Sequence, residues 1–328
     1  MPGPVEIAAP IRHAFERPPI SHRSDEFTRR YEGVRAALRS LTGAPHAALF
    51  QGSGTLANDV VAGALDGPGL VLINGEFGQR LADQARAWGL PVRTLEWPWG
   101  DAWDLDQIAR AMDGHDRQGK VGWVWGVHLE TSTGLVNDFA ALRDLARERG
   151  VRLCLDCVSS VGAVPVDLDG VWLASGVSGK ALGSYAGVAM VFANEIPAVE
   201  ISRSRKAPTY LDLGAALRTQ GPRFTFASPL LAALEAALEC KPDYDGMGGL
   251  VRQKLRSLDV PPLVEGPHAA PTVTTFAPPV AGFAERCKSL GYWIGGESGY
   301  LHSRGLVQIA TMGAVLAAHI EDLFRGLA

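Results

Sequence analysis

Between residues 47 and 192 the chain alternates short apolar runs with segments of helical periodicity. The helical segments cover residues 56–65, 79–88 and 139–149. The strand-like runs cover residues 47–50, 70–73, 121–127, 153–156, 172–175 and 188–192. Strands that alternate with helices pair mostly in parallel, and the helices cover both faces of the sheet. The sequence therefore predicts an α/β fold with a mostly parallel sheet, whose ligands bind at the carboxyl ends of the strands.

The two ends of the chain follow other patterns. Residues 1–24 are rich in proline and polar residues and are interpreted as an extended arm. Helical periodicity begins at Asp25 and stops near Gly43. Near residue 207 the alternation stops, and a predicted helix at 229–239 precedes helices and strands in α+β order. We predict an arm (1–24), a large domain (25–228) and a smaller α+β C-terminal domain (229–328).

Composition and charge narrow the choice of partners. The chain has 328 residues, enough for one large domain and a smaller one. Its net charge is −4, and its 31 basic residues are scattered, which excludes a nucleic-acid or membrane surface as the expected partner. The N-terminal residues lack a signal-peptide pattern, so we expect a cytoplasmic protein that acts on a small molecule. Four cysteines in so long a chain predict no disulfide framework.

One lysine stands among small residues. Lys180 lies in the sequence SGKAL (178–182), where its amine has little apolar surface to cover and is free to form an imine with a carbonyl. The strand at 153–156 ends in Asp156. Pyridoxal phosphate requires both a Schiff-base lysine and a carboxylate beside its pyridine nitrogen. The pair therefore predicts this cofactor, with Lys180 as the lysine and Asp156 as the carboxylate.

Other loops at predicted strand ends suit the rest of that cofactor. Ser53, Gly54 and Thr55 join a strand to a helix, where free N–H groups and the positive helix end favour a phosphate. Phe77 follows the next strand, where its ring can stack on an aromatic cofactor. Hydroxyl groups follow the strand at 121–127 within HLETSTG (128–134). Taken singly, these loops are equally compatible with helix capping or core packing.

A rival pattern for zinc is also present. His128, Glu130, Cys154 and Cys157 resemble the spacing of a zinc deaminase, in which a histidine and two thiolates bind the metal. The two cysteines are three apart in a predicted strand, so their sulfurs should point to opposite faces. Leu153 also replaces the proline that normally precedes such a pair. A zinc deaminase is therefore only a remote alternative.

Eight segments in order carry a family resemblance. They are SHRSDEF (21–27), GSGT (52–55), NGEFGQR (74–80), HLETSTG (128–134), DCVSS (156–160), SGKAL (178–182), YLDL (210–213) and PTVTT (271–275). Together they resemble the class V aminotransferases of fold type I, which depend on pyridoxal phosphate. The group most resembled contains alanine–glyoxylate, serine–pyruvate and 2-aminoethylphosphonate aminotransferases.

The resemblance implies roles for individual residues. Lys180 would form the Schiff base and move protons, Asp156 would pair with the ring nitrogen, and Phe77 would stack on the ring. The remaining cofactor contacts implied are Ser53, Gly54, Thr55 and Ser178 at the phosphate, Thr225 from the neighbouring subunit, Thr131 and Ser132 near the ring hydroxyl, and Ser159 below Asp156. The resemblance also implies a homodimer with shared active sites, a small amino donor and a keto-acid acceptor.

The chain departs from the family pattern at the substrate site. Gln308 stands where the family carries an arginine that grips the substrate carboxylate, and a neutral amide cannot reproduce that bidentate fork. Arg304, at even spacing from Gln308, could share its face of a strand, and Arg23 and Arg223 are further candidate cations. We expect an aminotransferase with an atypical carboxylate site. A lyase or decarboxylase on the same fold is the alternative.

Overall fold

A seven-stranded sheet forms the centre of the computed structural model, which describes residues 1–114, 119–197 and 208–327. Its strands are β1 (His46–Gly52), β2 (Gly69–Ile73), β3 (Val92–Glu96), β4 (Trp123–Val127), β7 (Arg152–Asp156), β8 (Leu173–Val177) and β9 (Gly187–Ala193). Two short strands, β5 (Leu129–Glu130) and β6 (Leu135–Val136), form a separate hairpin. The order across the main sheet is β1-β9-β8-β7-β4-β2-β3.

The sheet is mostly parallel, as the alternation of strands and helices predicts. Strands β3, β2, β4, β7 and β8 run parallel, whereas β9 is antiparallel to both β8 and β1. Because parallel strands end on the same edge, the residues that follow β2, β4, β7 and β8 come together there. The loops that carry most of the predicted site residues start at this carboxyl edge.

Helices cover both faces of the sheet. In chain order the helices up to residue 238 are α1 (Ala9–Phe15), α2 (Asp25–Thr42), α3 (Gly54–Ala64), α4 (Glu76–Ala87), α5 (Leu105–Asp113), α6 (Phe139–Glu148), α7 (Leu213–Arg218) and α8 (Ser228–Leu238). Of these, α1 packs on α8. Alternate residues of β7 enter two different apolar clusters, Leu153 and Leu155 in one and Cys154 in the other, so the clusters lie on opposite faces. Within the described ranges, none of the helices is long and apolar enough to cross a membrane.

The C-terminal part has its own small sheet. Strands β10 (Val273–Phe276) and β11 (Val307–Ala310) pair antiparallel beside α9 (Tyr244–Arg256), α10 (Phe283–Ser289), α11 (Gly299–His302) and α12 (Ala317–Leu327). The sequence gives little sign of α9, because glycines lower the helix propensity of its first half. One of them, Gly248, is required by packing, since a Cβ there would lie 2.3 Å from the Pro271 carbonyl oxygen.

The N-terminal segment is not extended throughout, contrary to the expectation for residues 1–24. Residues Ala9–Phe15 form α1, and Pro10 lies in its first turn, where a missing N–H costs nothing. Ile11 of α1 packs against Ala233 and Ala237 of α8. The short helix therefore forms because α8 offers an apolar partner, which a reading of local sequence alone does not reveal.

Glu130 fixes the start of α4 from the β5–β6 hairpin. Its Oε2 accepts hydrogen bonds from the N–H groups of Phe77 and Gly78, both at 3.1 Å. Its Oε1 accepts from the Ser132 N–H at 3.1 Å and from the Ser132 hydroxyl, and that hydroxyl accepts from the Glu76 N–H at 2.9 Å. Burial raises the pKa of the Glu130 carboxyl, while these donors oppose the rise. The first-turn N–H groups of α4 are thus satisfied inside the protein.

We predict that Glu130→Gln lowers the free energy of unfolding by about 1–3 kcal/mol, because the amide group would turn a donor toward N–H groups that need acceptors. Urea denaturation followed by circular dichroism measures the change. Glu148→Gln, on the exposed end of α6, is the control and should stay within about 0.5 kcal/mol of the unmodified protein. Equal stability of the two variants would contradict this role for Glu130.

Candidate active site

A cavity of about 560 Å³ opens at the carboxyl edge of the main sheet. It brings together six of the residues selected from the sequence: Ser53, Gly54, Thr55, Phe77, Asp156 and Lys180. They lie at or just after the carboxyl ends of β1, β2, β7 and β8. These strands all run in the same direction, so the sheet gathers residues that are far apart in the chain. Gly3 and Pro4 of the N-terminal segment also line this cavity.

Asp156 ends β7 and is 5% exposed. Its Oδ2 accepts from Asn58 Nδ2 of α3 at 2.8 Å, and its Oδ1 accepts from the Val158 N–H at 2.8 Å. Burial raises the pKa of this carboxyl, while the two donors and the Lys180 charge oppose the rise. Asn58 was not selected from the sequence. Its sequence signal is weak, because it precedes Asp59 on α3 and only the structure shows that its side chain is buried.

Lys180 lies in the turn between β8 and β9, with its amine in the cavity. Its Nζ donates to the Pro2 carbonyl at 2.8 Å. Burial lowers the pKa of the Lys180 ammonium, Asp156 opposes this, and Arg80 lowers the pKa further. The preceding residue has to be glycine, because a Cβ at Gly179 would lie 2.7 Å from the Cα atom of Ala186. A side chain at position 179 is therefore excluded by packing.

The first turn of α3 faces the cavity and suits an anion. Ser53 is the residue before the helix, and within the described part of the chain its hydroxyl makes no capping hydrogen bond. Gly54 begins the helix where no side chain fits, since a Cβ would lie 2.7 Å from the side chain of Val158. The helix start therefore offers N–H groups and hydroxyls to an anionic group such as a phosphate.

Phe77 and Arg80 lie one turn apart on α4, and both line the cavity. Phe77 is half-buried, and its main chain is held by Glu130. The Arg80 guanidinium lies 5.0 Å from the centre of the Phe77 ring and 5.9 Å from that of Tyr300 on α11. Neither Arg80 nor Tyr300 was selected from the sequence. Arg80 could have been found from its helical spacing to Phe77 in NGEFGQR.

The serine and threonine hydroxyls selected from the sequence do not all face the cavity. Ser178 is fully buried, donates to the Tyr185 carbonyl at 2.6 Å and accepts from the Val188 N–H at 3.1 Å. It thus supports the turn that carries Lys180. Ser159 is buried just after Asp156.

Two further candidates lie at the edges of this region. The Ser132 hydroxyl is engaged at the start of α4, and Thr131 beside it is 1% exposed. Thr225 is exposed and lies outside the cavity of its own chain, where its carbonyl accepts from Gln51 Nε2 at 3.3 Å.

Gln308 lies on β11 and is fully buried. Its Nε2 donates to the carbonyl of Thr131, to that of Ser132 at 3.1 Å and to the Thr275 hydroxyl at 2.8 Å. Carbonyl oxygens only accept hydrogen bonds, which fixes the orientation of the amide. Its Oε1 has no hydrogen-bond partner within the described residues. The donor end of Gln308 is therefore consumed by the protein.

The alternative cations lie elsewhere. Strand β11 begins at Val307, so Arg304 does not share a strand face with Gln308, contrary to the spacing argument. It lies in the turn after α11, with its guanidinium 3.7 Å from the centre of the Trp99 ring. Arg23 is exposed before α2, and Arg223 donates to main-chain carbonyls at 3.0 and 3.2 Å. None of these three arginines lines the cavity.

The residues of the zinc pattern are dispersed. Cys154 and Cys157 enter apolar clusters on opposite faces of the sheet, as their spacing predicts. The His128 ring packs 4.6 Å from that of Phe139, and burial lowers its pKa to about 4. Glu130 is used at the start of α4. Among residues 1–114, 119–197 and 208–327, no group of three or more His, Cys, Asp or Glu side chains is placed to hold a metal ion.

Comparisons with known proteins show the family of this chain. Residues 13–201 match the model of the family described as aminotransferase class-V. The 2-aminoethylphosphonate–pyruvate transaminase of Pseudomonas putida strain GB-1 is 32% identical over 277 residues, which cover 75% of this chain and 73% of that protein. The soluble hydrogenase small subunit of Synechococcus sp. strain PCC 6716 is 28% identical over 85% of this chain and 77% of that protein.

The fold is shared with a solved aminotransferase. The crystal structure of alanine–glyoxylate aminotransferase from Nostoc sp. superposes with a TM-score of 0.87 at 26% identity, covering 99% of this chain and 93% of that one. The family match spans more than half of the chain, and the seven-stranded sheet with a small C-terminal sheet is the fold type I arrangement. The chain therefore belongs to the class V aminotransferases, the pyridoxal-phosphate-dependent enzymes of fold type I.

Proposed function

We propose that this protein binds pyridoxal phosphate through Lys180 and transfers an amino group from a small amino donor to a keto acid. The observation that carries the proposal is that Lys180 and Asp156 line one cavity together with Phe77 and the start of α3. These residues fit the cofactor, because they supply an amine, a buried carboxylate, an aromatic face and a phosphate-binding helix end. When bound, the cofactor supplies the electron sink for the substrate carbon.

The chain's own residues would divide the remaining work. Asp156 is held by Asn58 and the Val158 N–H with both oxygens fixed, so its carboxylate can meet a ring nitrogen in one orientation. The lowered pKa of Lys180 increases the fraction of neutral amine, which is the form that attacks a carbonyl and accepts a proton. Pro2 holds that amine by a single hydrogen bond. The substrate therefore enters beside a base that is already desolvated.

The hydrogen bonds of Gln308 favour an amino donor whose amino carbon carries no carboxylate. All donor capacity of its amide points to Thr131, Ser132 and Thr275, so it offers no N–H to a carboxylate. 2-Aminoethylphosphonate, named in the relative from Pseudomonas putida, is a compound of this class. A lyase or decarboxylase remains the alternative, because a changed anchor also changes which bond at the substrate carbon is labile. Product analysis for keto product, ammonia and carbon dioxide separates the three reactions.

A homodimer with shared active sites is part of the proposal. Thr225 and Phe224 are exposed on the segment that the family places against the partner, and Phe224 is 40% exposed for a large apolar side chain. Sedimentation at several protein concentrations would measure the oligomeric state.

We predict that Lys180→Ala abolishes the borohydride-reducible adduct with pyridoxal phosphate, which peptide mass spectrometry locates. In the unmodified protein, the rate of adduct formation should rise with pH and reach its plateau at a pH below 10.5, the ordinary pKa of lysine. Burial favours the neutral amine and so lowers the pKa of Lys180. Lys254→Ala, on the surface of α9, is the control and should retain the adduct. An adduct that persists in Lys180→Ala would refute the assignment.

We predict that Asp156→Asn lowers turnover by at least about 100-fold, because an amide cannot stabilise a protonated ring nitrogen. Burial raises the Asp156 pKa, so the ionised carboxylate costs stability once the pH exceeds its usual value. The melting temperature of Asp156→Asn at neutral pH should therefore be unchanged or higher. The Asn58 amide can turn so that its Oδ1, which has no partner within the described residues, accepts from the new amide, and no donor then faces another donor. Asp167→Asn, with a side chain that is 72% exposed, is the control. Near-normal turnover in Asp156→Asn would show that this aspartate is only structural.

We predict that the unmodified enzyme uses 2-aminoethylphosphonate better than alanine, and that Gln308→Arg shifts this preference toward alanine. Gln308 offers the substrate carboxylate no hydrogen bond, whereas an arginine side chain can donate charge-assisted bonds of about 1.5–3 kcal/mol each, so the shift in relative kcat/KM should be about tenfold or more. Gln253→Arg, at an exposed position of α9, adds the same charge as a control. Efficient use of alanine by the unmodified enzyme would contradict the assigned role of position 308.

A further inference from the structure

Arg80 lies at the mouth of the cavity that contains Lys180. Its side chain is 52% exposed, and its guanidinium lies against the rings of Phe77 and Tyr300. Phe77 lies on α4 beside the main sheet, whereas Tyr300 lies on α11 in the C-terminal part. Aromatic faces hold a guanidinium without using its N–H groups. Arg80 is therefore oriented by packing while its donors remain largely available.

The hydrogen bonds of Arg80 confirm that availability. Its Nε donates to Glu76 Oε1 at 3.0 Å, one helical turn earlier on α4. Within the described part of the chain, Nη1 and Nη2 have no hydrogen-bond partner. Arginine offers five N–H donors in a planar fork, and a carboxylate, phosphonate or phosphate can accept two of them at once. Two donor atoms at the cavity mouth thus remain for a ligand.

Arg80 is also the remaining cation on this surface. Among the described residues that line the cavity, the positively charged side chains are Lys180 and Arg80. The Lys180 amine is needed for the cofactor carbonyl under the proposed function. The donors of Gln308 are consumed, and Arg304 packs on Trp99. An anionic substrate that reaches Lys180 therefore passes one available guanidinium.

We propose that Arg80 binds the anionic group of the amino donor at the end remote from its amine. The inference rests on the proposed function and deepens it by naming the substrate class: aliphatic amines with a terminal carboxylate or phosphonate and no carboxylate on the amino carbon. Phe77 and Tyr300 orient the guanidinium, and Glu76 holds its Nε. Gln308 offers no N–H group to a carboxylate on the reacting carbon, whereas Arg80 offers two nitrogens at the cavity mouth. The anionic group is therefore recognised away from the reacting carbon.

The cofactor phosphate is the competing ligand for Arg80. The start of α3 already offers that phosphate N–H groups and the hydroxyls of Ser53 and Thr55. Arg80 instead lies beside the ring of Phe77, the predicted stacking partner of the cofactor ring, and extends to Tyr300. This position favours a ligand beside the cofactor ring over one at the start of α3. The two ligands are separable by experiment.

The test compares an anionic donor with a neutral one. Cofactor-loaded unmodified enzyme, Arg80→Gln and Arg80→Lys are assayed with 2-aminoethylphosphonate, β-alanine and propylamine. The dissociation constant of pyridoxal phosphate is measured separately by fluorescence. Arg86→Gln is the matched control, because Arg86 lies on the same helix and is also paired with an acid of the preceding turn, Asp83.

We expect Arg80→Gln to raise KM for the two anionic donors about tenfold or more, because a charge-assisted fork is lost. The KM for propylamine should change less than about threefold, since propylamine has no anionic group for Arg80 to bind. Arg80→Lys should give an intermediate value, because an ammonium keeps the charge without the fork. Cofactor affinity and the behaviour of Arg86→Gln should match the unmodified protein.

Two results would overturn the inference while leaving the proposed function intact. One is an equal change in KM for anionic and neutral donors. The other is a loss of cofactor affinity in Arg80→Gln with unchanged preference among donors, which would assign Arg80 to the phosphate. Absence of any Lys180 adduct in the unmodified protein would overturn the proposed function and this inference together.

Discussion

Parallel pairing of β2, β4, β7 and β8 is the constraint from which the site follows. Each strand is buried on both faces and ends on the same edge, so the polar groups that follow it emerge within one small region. Asp156 at the end of β7 and Lys180 after β8 meet there although 24 positions separate them in the chain. A change of register between these strands would displace the carboxylate from the amine.

Buried polar bonds then connect the small sheet to this edge. Gln308 on β11 donates to the carbonyls of Thr131 and Ser132, and Ser132 shares its hydroxyl with Glu130. Glu130 in turn holds the N–H groups of Phe77 and Gly78. The position of the predicted stacking ring thus depends on a residue more than 200 positions away. Removing a donor or an acceptor from this network costs about 1–3 kcal/mol, because its partner is then left unpaired in the interior.

The elements that the sequence did not predict share a physical cause. Strand β3 lies at the edge of the sheet and is only partly buried, so it lacks the apolar run that marks the inner strands. Helix α5 has two buried residues, Ile108 and Met112, and depends on a cap from Asp104. Helices α1 and α9 contain proline or several glycines and form because neighbouring elements cover them. In each case tertiary packing outweighs a weak local preference.

By itself the sequence determined the α/β architecture, the family and the six cavity residues, because strand periodicity and short motifs after strands are local properties of the chain. Only the tertiary structure decided which groups Gln308, Arg304 and Arg80 contact. The amide N–H groups of Gln308 are bonded within the protein, because the main-chain carbonyls of residues 131 and 132 face β11. Arg304 packs on the Trp99 ring, and Arg80 lies beside the rings of Phe77 and Tyr300. Side-chain partners across distant segments depend on three-dimensional proximity, which residue spacing along one strand or helix does not encode.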